Sequence, residues 1–246
     1  MRTRMIVAIL AVAIGLGLLT GRFVVPARSA PTATPAAGSS SAGDGPPTPR
    51  PASGPMTVQH LLTAADFRTV GISQHIYVHD RVGDGNYSNA ACTGEKTLEQ
   101  TLGEGNAHFR GLMTTKDTDR DDPTLVAVDV KDQVAREVAA DAGSPALAQN
   151  FTERLLLEEV PCQTEVATHW VYGPTHTIDV APSITASWMG TYDGDLNTTG
   201  VAPRGIEPCG GIAVLWNGSH YGMLEIDACL DTAAMTRIVR TAVTEL

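Results

Sequence analysis

Apolar and polar residues alternate in short runs along most of the chain beyond residue 55, and this two-residue period is typical of β-strands. In one clear run, Val126, Val128 and Val130 alternate with small or charged residues. Valines also recur at every fourth residue from Val130 to Val138, so a helix is the alternative there. The predicted strands are His75–His79, His108–Lys116, Leu125–Val138, Thr168–Tyr172, Thr175–Val180, Ile184–Thr191, Gly211–Trp216 and His220–Ala228.

Three stretches have helical patterns instead. Thr63 and Asp66 form a capping-box-like start for a short helix that ends at Gly71. A longer helix begins at Ser144-Pro145, a cap residue followed by proline, and runs to about Glu159. The last helix is amphipathic, and Asp231 or Thr232 caps it. The apolar residues expected on the faces of the second and third helices are Leu147, Phe151, Leu155, Met235, Ile238, Val239, Ala242, Val243 and Leu246.

These elements predict an α+β fold, in which a twisted and mostly antiparallel sheet of five to seven strands is flanked by helices. The chain has 246 residues, of which 43% are hydrophobic, and this is enough for a packed core. The chain has three lysines and fourteen arginines and is rich in alanine, glycine, proline and threonine, which indicates a GC-rich bacterial genome.

The N-terminal region indicates export. Two arginines in Met1–Arg4 precede the uncharged apolar run Met5–Leu19, as in a signal peptide. Residues 1–30 are therefore predicted to be a signal peptide or an N-terminal membrane anchor, and the sequence leaves both open. Residues 31–55 are rich in Pro, Ala, Ser and Gly and are predicted to be a disordered linker. Residues 56–246 then form an extracytoplasmic domain, anchored in the cell membrane by a single segment or secreted.

The charge is divided unevenly along the chain. The first 55 residues hold five arginines and one acid, whereas the rest holds 12 basic and 26 acidic residues. Such an acidic domain repels phosphate backbones and anionic headgroups, so nucleic acid is excluded as a partner and the membrane is contacted only through the N-terminal segment. A small molecule, a cell-wall fragment or an envelope protein is the expected partner.

Four cysteines in an exported domain predict two disulfides. The hairpin around Asn217-Gly218-Ser219 is predicted to have a three-residue loop, which brings the alternating apolar sets of both strands to one face, with Ile212 opposite Leu224. In this register Cys209 and Cys229 lie at the base of the hairpin on the same face. We therefore predict the pair Cys209–Cys229, which leaves Cys92–Cys162 as the second bridge.

The same features resemble a known family. Leu61–Phe67 opens the domain, a wide gap separates Cys92 from Cys162, and Cys209, the hairpin, Cys229-Leu230-Asp231 and an amphipathic helix close it. This arrangement resembles the PknH-like extracellular sensor domain family, which occurs in mycobacterial serine/threonine kinases and in free-standing exported actinobacterial proteins. The resemblance implies a twisted antiparallel sheet, sequential disulfides and a cleft for an unknown ligand. Since these 246 residues contain no kinase domain, a free-standing member is expected.

Motifs for catalysis are missing from the sequence. It contains no Gly-x-Ser-x-Gly, no His-Glu-x-x-His and no G-x-G-x-x-G, so neither catalytic residues nor a cofactor are predicted. His75 and His79 could join His220 or His176 as metal ligands, but polar strand residues are the preferred interpretation. The acidic run Asp117–Asp122 resembles the start of a calcium loop, but Asp122 stands where the loop needs a glycine and Val128 where it needs a glutamate ligand. The run is therefore interpreted as a solvated turn, and no metal is predicted.

The predicted binding residues lie at the end of the strand Ile184–Thr191 and in the loop after it. Trp188 and Tyr192 form an aromatic pair beside two acids in a glycine loop, Asp193 and Asp195. The alternative for Trp188 is a place in the core. A second candidate patch is the outward face of the hairpin, unless a helix packs there and makes it core; its residues are Leu215, Tyr221 and Met223, with Glu225 and Asp227.

The sequence therefore predicts an exported, non-catalytic, sensor-like ligand-binding domain of the bacterial cell envelope. One alternative is a protein-protein interaction or structural module, for which an exposed apolar patch is the expected sign. The other is a hydrolase with a dispersed site, for which a Ser/His/Asp cluster is the sign.

Overall fold

A seven-stranded sheet forms the centre of the fold. The computed structural model describes residues 49–83, 86–89, 94–97, 106–115, 132–159, 170–193, 202 and 204–246. The strands of this part are β1 (Tyr77–Gly83), β2 (Asn86–Asn89), β3 (Gly94–Thr97), β4 (Ala107–Met113), β5 (Gln133–Asp141), β6 (Trp170–Ala181), β7 (Ile184–Asp193), β8 (Gly211–Asn217) and β9 (His220–Ile226). The large sheet has the order β1-β4-β5-β9-β8-β7-β6 with every pair antiparallel, while β2 and β3 form a separate ladder.

The described residues also form three α-helices, whose caps follow from the sequence. Helix α1 (Ala64–Thr69) begins with a capping box, in which the Asp66 carboxylate accepts the Thr63 N–H at 2.7 Å. Helix α2 (Pro145–Glu159) follows Ser144. Helix α3 (Thr232–Glu245) is capped by Asp231, which accepts the N–H of Ala234 at 2.8 Å. The predicted α+β class, with an antiparallel sheet and flanking helices, is confirmed.

Both faces of the sheet are covered. On the first face, α1 and α3 pack on a core that includes Leu215, Leu224 and Trp188. On the second face, α2 packs across β8 and β9 on a core that includes Val214 and Met223. The patch predicted on the outward face of the hairpin is therefore core, but its residues do not share one face: Tyr221 and Met223 lie in the core of the second face, whereas Leu215 lies in that of the first.

This two-sided burial explains why the predicted register of the hairpin is wrong. The loop has two residues, Gly218 and Ser219, so Leu224 lies opposite Ala213 and not opposite Ile212. The prediction assumed that all apolar residues of both strands share one face. Since both faces are apolar, the alternation does not select between the two registers.

Two smaller predictions are corrected, and one choice between two alternatives is decided. The proposed strands on either side of Gly173-Pro174 are one strand, β6, with an irregular register between Tyr172 and Thr175. The stretch from Gln133 onwards is a strand, so the helical alternative fails there. Leu147 was expected on the buried face of α2 but is 42% exposed, and the buried positions of this helix include Ala148 and Leu155.

The disulfide Cys209–Cys229 is present, with its Cα atoms 4.0 Å apart. This pairing is confirmed, although the register used to predict it is wrong. The two cysteines meet because the segment before β8 runs beside the segment after β9. There the Gly210 N–H donates to the Leu230 carbonyl at 3.2 Å. Cys92 and Cys162 lie outside the described residues, so the second bridge stays a prediction.

Replacing both Cys209 and Cys229 by serine should destabilise the domain. The bridge closes a loop of 20 residues, and the chain-entropy model gives such a loop about 3 kcal/mol of stabilisation. Urea unfolding of the double variant against wild type, both oxidised, measures the difference. An unchanged free energy of unfolding would show that the bridge does not constrain the unfolded chain.

The predicted signal, most of the linker and the acidic run Asp117–Asp122 also lie outside the described residues. Within the described part, no helix has the length and apolar character that crossing a membrane requires.

Candidate functional site

Trp188, the first of the predicted binding residues, lies on β7 directly opposite His176 of β6. The two rings stack, with centroids 4.3 Å apart and 19° between their planes. Trp188 is only 1% exposed, whereas His176 is half-buried. The indole N–H of Trp188 has no hydrogen-bond partner in the described part of the chain. Trp188 therefore belongs to the core, as the alternative interpretation held, but it leaves a buried donor unsatisfied.

Tyr192 lies four residues further along β7 and is 5% exposed. Its burial raises the pKa of the phenol, and the nearby Glu207 carboxylate adds to this effect. The ring occupies the space next to Gly173, where a Cβ atom would stand 2.5 Å from a carbon of the tyrosine ring. Glycine at position 173 is therefore required for the tyrosine to lie against β6.

The segment before β8 fixes the end of β7. The Cys209 N–H donates to the Thr191 carbonyl at 2.9 Å, and the Thr191 hydroxyl donates to the Cys209 carbonyl at 2.7 Å. The Glu207 carboxylate accepts the N–H of Thr232 at the start of α3, at 3.0 Å. Cys209 is also bonded to Cys229, so the end of β7 next to Tyr192 is joined through this segment to the residues after β9.

The two predicted acidic residues of this site are not tested. Asp193 is the last residue of β7, but its side chain is not described, and Asp195 lies outside the described residues. The structure thus places Trp188 and Tyr192 on one strand, and the participation of Asp193 and Asp195 stays a prediction.

A polar row, buried at Arg110 and Glu137 and open to solvent at Asp80, was missed by the sequence reasoning. Asp80 of β1, Arg110 of β4 and Glu137 of β5 lie side by side in register on the first face of the sheet. The Arg110 guanidinium donates to both carboxylate oxygens of Asp80 at 2.7 Å, and its Nη1 donates to the carbonyls of Leu61 and Leu62 at 2.9 and 3.1 Å. The row therefore binds the main chain that precedes α1.

Glu137 completes this row and has an unusual environment. It is 0% exposed, its Oε2 accepts the Leu62 N–H at 2.7 Å, and its Oε1 has no partner among the described residues. Burial raises the pKa of Glu137 to about 8, although the hydrogen bond from Leu62 and the charge of Arg110 act in the opposite direction. The carboxyl is accordingly mostly protonated at neutral pH.

A sequence signal for this row exists. Arg110 and Glu137 occupy positions in phase with Leu112 and Ala139, which the alternation assigns to a buried face. A charged residue at such a position indicates a partner, but the sequence does not identify it.

The candidate metal ligands do not converge. His79 lies on β1 and His176 on β6, which are opposite edges of the sheet, six strand spacings or roughly 29 Å apart. Both ring nitrogens of His220 face main-chain oxygens, those of Leu246 and Gly54. In the part of the chain that the structure describes, no three His, Cys, Asp or Glu side chains are arranged to hold a metal ion.

The same contacts bear on the two functional alternatives. His220, which the hairpin places next to Ser219, has neither nitrogen available as a base for the Ser219 hydroxyl of a hydrolase site.

The exposed apolar patch expected of an interaction module is not concentrated at one place among the described residues. Their large exposed apolar side chains are spread over β1, α2 and the segment before β8. They are Val78, Val82, Leu147, Leu157 and Ile206.

No known family model matches the chain, and no curated protein matches it. Among solved structures, the chain is similar to the crystal structure of the extracellular domain of PknH from Mycobacterium tuberculosis. The TM-score is 0.48 and the sequence identity 8%, and the match covers 77% of this chain and 96% of that chain. The likeness is weak and concerns the fold alone, so membership of the PknH-like family stays a prediction.

Proposed function

We propose that this protein is an exported, non-catalytic domain of the bacterial cell envelope that binds a ligand at the end of β7. The ligand would contact the region of Trp188 and Tyr192, with Asp193 and Asp195 at its border. The N-terminal segment would either hold the domain at the membrane or be removed to release it.

Export is supported by the disulfide together with the N-terminal sequence. Disulfides persist in oxidising compartments outside the cytosol, and Cys209–Cys229 is bonded. The apolar run Met5–Leu19 after two arginines is the pattern of an export signal. Titration of free thiols in the native full-length protein, recovered from the envelope or the medium, tests this part. Four free thiols, or a protein retained in the cytosol, would contradict export.

Ligand binding is supported chiefly by the unsatisfied indole N–H of Trp188. A buried donor without an acceptor costs about 1–3 kcal/mol, and such a group in a native structure calls for an explanation. An acceptor atom of a ligand would supply the missing bond. Trp188 stacks on His176, whose own side of the pair is half-buried, so the buried indole lies one ring away from a partly exposed residue.

Trp188→Phe should weaken ligand binding while it keeps an aromatic ring in the core. Loss of one hydrogen bond of about 1 kcal/mol corresponds to a roughly fivefold to tenfold weaker affinity. The measurement is thermal shift of the oxidised domain with soluble peptidoglycan fragments, neutral oligosaccharides and divalent metal chlorides, followed by titration of any compound that stabilises the wild type.

Trp216→Phe is the matched control. The indole of Trp216 donates to the Gly218 carbonyl at 2.8 Å, so this variant loses a satisfied bond away from the site. We expect it to bind as the wild type does. Equal binding by Trp188→Phe and wild type would refute the site, and unshifted wild-type curves with every compound would count against ligand binding.

A further inference from the structure

A slot between Trp188 and Tyr192 is filled by another part of the chain. These two residues and Gly190 between them alternate along β7 and share one face of the sheet, where Gly190 offers no side chain. Pro208 is buried in this place. A Cβ atom at Gly190 would lie 2.5 Å from Cβ of Pro208, 3.1 Å from its Cγ and 3.5 Å from Cζ3 of Trp188. A ligand that contacts both aromatic residues therefore has to displace the proline ring.

Pro208 belongs to a short segment, residues 207–210, which we call the plug. Its first residue, Glu207, is exposed and lies close to Tyr192, where its charge adds to the effect of burial in raising the pKa of the phenol. Its last residue, Gly210, has φ +79°, a conformation that glycine adopts without strain. The plug thus covers the slot and ends at a bend directly before β8.

Hydrogen bonds hold the plug to β7 and to the segment after β9. The Cys209 N–H donates to the Thr191 carbonyl at 2.9 Å, and the Thr191 N–H donates to the Gly210 carbonyl at 3.1 Å. On the other side, the Gly210 N–H donates to the Leu230 carbonyl at 3.2 Å. A few bonds of this kind open and close reversibly in a folded protein, so they permit the plug to leave the slot.

The disulfide adds a covalent bond that prevents this release. It joins Cys209 of the plug to Cys229. The residues after Cys229 are fixed, because Leu230 is buried and Asp231 caps helix α3. While the bridge is intact, Cys209 stays next to this fixed point, and its neighbour Pro208 stays in the slot. The bridge therefore acts as the latch of the plug.

The two bonded cysteines differ in exposure, since Cys229 is exposed and Cys209 is half-buried. A disulfide is cleaved when a thiolate attacks one of its sulfur atoms, and an exposed bridge is more readily reduced than a buried one. Attack at the more accessible Cys229 makes Cys209 the leaving group. Cleavage on this side thus frees the sulfur atom that belongs to the plug.

We propose that the plug is redox-latched: it closes the slot while Cys209 and Cys229 are bonded, and leaves it when an exported protein dithiol reduces the bridge. One thiolate of the dithiol attacks Sγ of Cys229 and releases the Cys209 thiolate. The second thiol then attacks the mixed disulfide and releases Cys229. Two electrons and two protons pass to the two cysteines, and the dithiol becomes a disulfide. The inference rests on the proposed ligand site, whose open fraction reduction would increase.

Hydrogen exchange tests the release of the plug without any ligand. The full-length Cys209→Ser/Cys229→Ser variant is compared with the oxidised wild type at the amides of Thr191 and residue 209, which bond across the plug. The amide of Ala142, bonded to the Ser219 carbonyl at 2.9 Å, reports changes away from the plug. We expect the opening equilibrium of the plug amides to rise about tenfold or more beyond that of Ala142, and below the unfolding transition this rise should not depend on urea. Equal factors would overturn the proposal.

A measurement on the wild type covers the case in which the double variant does not fold. Dithiothreitol reduces the oxidised protein at urea concentrations below the unfolding transition, and alkylation with peptide mapping reports Cys209 and Cys229 separately from the other cysteines. We expect a rate of reduction that is independent of urea, because the exposed Cys229 is attacked in folded molecules. A rate that follows global unfolding would show that the bridge is no latch that a dithiol can open.

Pro208→Gly connects the plug to ligand binding, because it empties the slot and keeps the disulfide. Soluble peptidoglycan fragments and neutral oligosaccharides that stabilise the wild type are titrated into the oxidised variant. We expect about tenfold tighter binding, since the ligand no longer displaces a proline ring. Pro182→Gly, at an exposed proline before β7, is the matched control and should bind as the wild type does.

These experiments separate the plug from the proposed function. Equal affinity of Pro208→Gly and the wild type would show that the plug does not close the site, although the ligand site itself would stand. If none of the compounds stabilises any of the proteins while the plug amides open in the double variant, ligand binding at β7 fails and the redox-latched plug is supported.

Discussion

Glu137→Gln should remove a loss of stability that the wild-type protein undergoes as the pH rises. The carboxyl of Glu137 is fully buried, and burial raises its pKa to about 8 from an ordinary value of 4.5. Above the ordinary value the unfolded chain releases this proton, whereas the folded protein retains it. The folded state therefore binds more protons in this window, and the free energy of unfolding falls with increasing pH until the folded pKa is passed.

The expected size follows from the same two values. Each pKa unit corresponds to 1.36 kcal/mol, so between pH 5 and pH 9 the wild type should lose on the order of 4 kcal/mol relative to Glu137→Gln. Urea unfolding at pH 5, 7 and 9 measures the difference. Burial raises the pKa of Asp227 to about 6, so this group also titrates in the range. Its contribution to the free energy of unfolding is the same in both proteins and cancels in the difference.

Glu153→Gln is the control for this experiment. Glu153 is exposed on α2, where it accepts a hydrogen bond from Gln149 at 2.8 Å. Its substitution should leave the pH profile parallel to that of the wild type. If the pH profile of Glu137→Gln is also parallel to that of the wild type, the Glu137 carboxyl titrates in the folded protein as it does in the unfolded chain. The polar row is then more open to water than its contacts indicate.

The parts of the fold that the sequence predicts are those determined locally. The caps of α1 and α3 depend on residues three positions apart, and the buried face of α3 depends on a single helical period. Both are visible in one short stretch. The hairpin register failed because it depends on what covers each face, and the helix that covers the second face, α2, lies more than fifty residues earlier in the chain.

The candidate site illustrates the same limit. Trp188 and Tyr192 were identified from aromatic type and position on a strand, but their burial follows from the packing of α3 and from the segment fixed by Cys209. Asp80, Arg110 and Glu137 come from three strands that are distant in sequence. Their alignment requires the antiparallel order β1-β4-β5, which alternation alone does not provide.

Arg110→Ala should cause a loss of stability comparable to that of a broken buried ion pair. Arg110 is 8% exposed and makes two bonds to Asp80 and two to the carbonyls of Leu61 and Leu62. Removing one partner of such a pair costs about 3–5 kcal/mol, and we expect about 3 kcal/mol because Asp80 is partly solvated and can be hydrated when it is left alone.

Arg110→Lys separates charge from geometry, because lysine keeps the positive charge but cannot reproduce the planar fork that holds a carboxylate and two carbonyls together. We expect it to recover less than half of the stability lost in Arg110→Ala. Arg237→Ala, which removes an exposed guanidinium that bonds to the Thr69 carbonyl, should cost less than about 1 kcal/mol. Urea unfolding of all three variants at pH 7 gives the comparison. If Arg110→Ala is no more destabilised than Arg237→Ala, the polar row does not hold the segment before α1, and that segment is retained by its buried leucines alone.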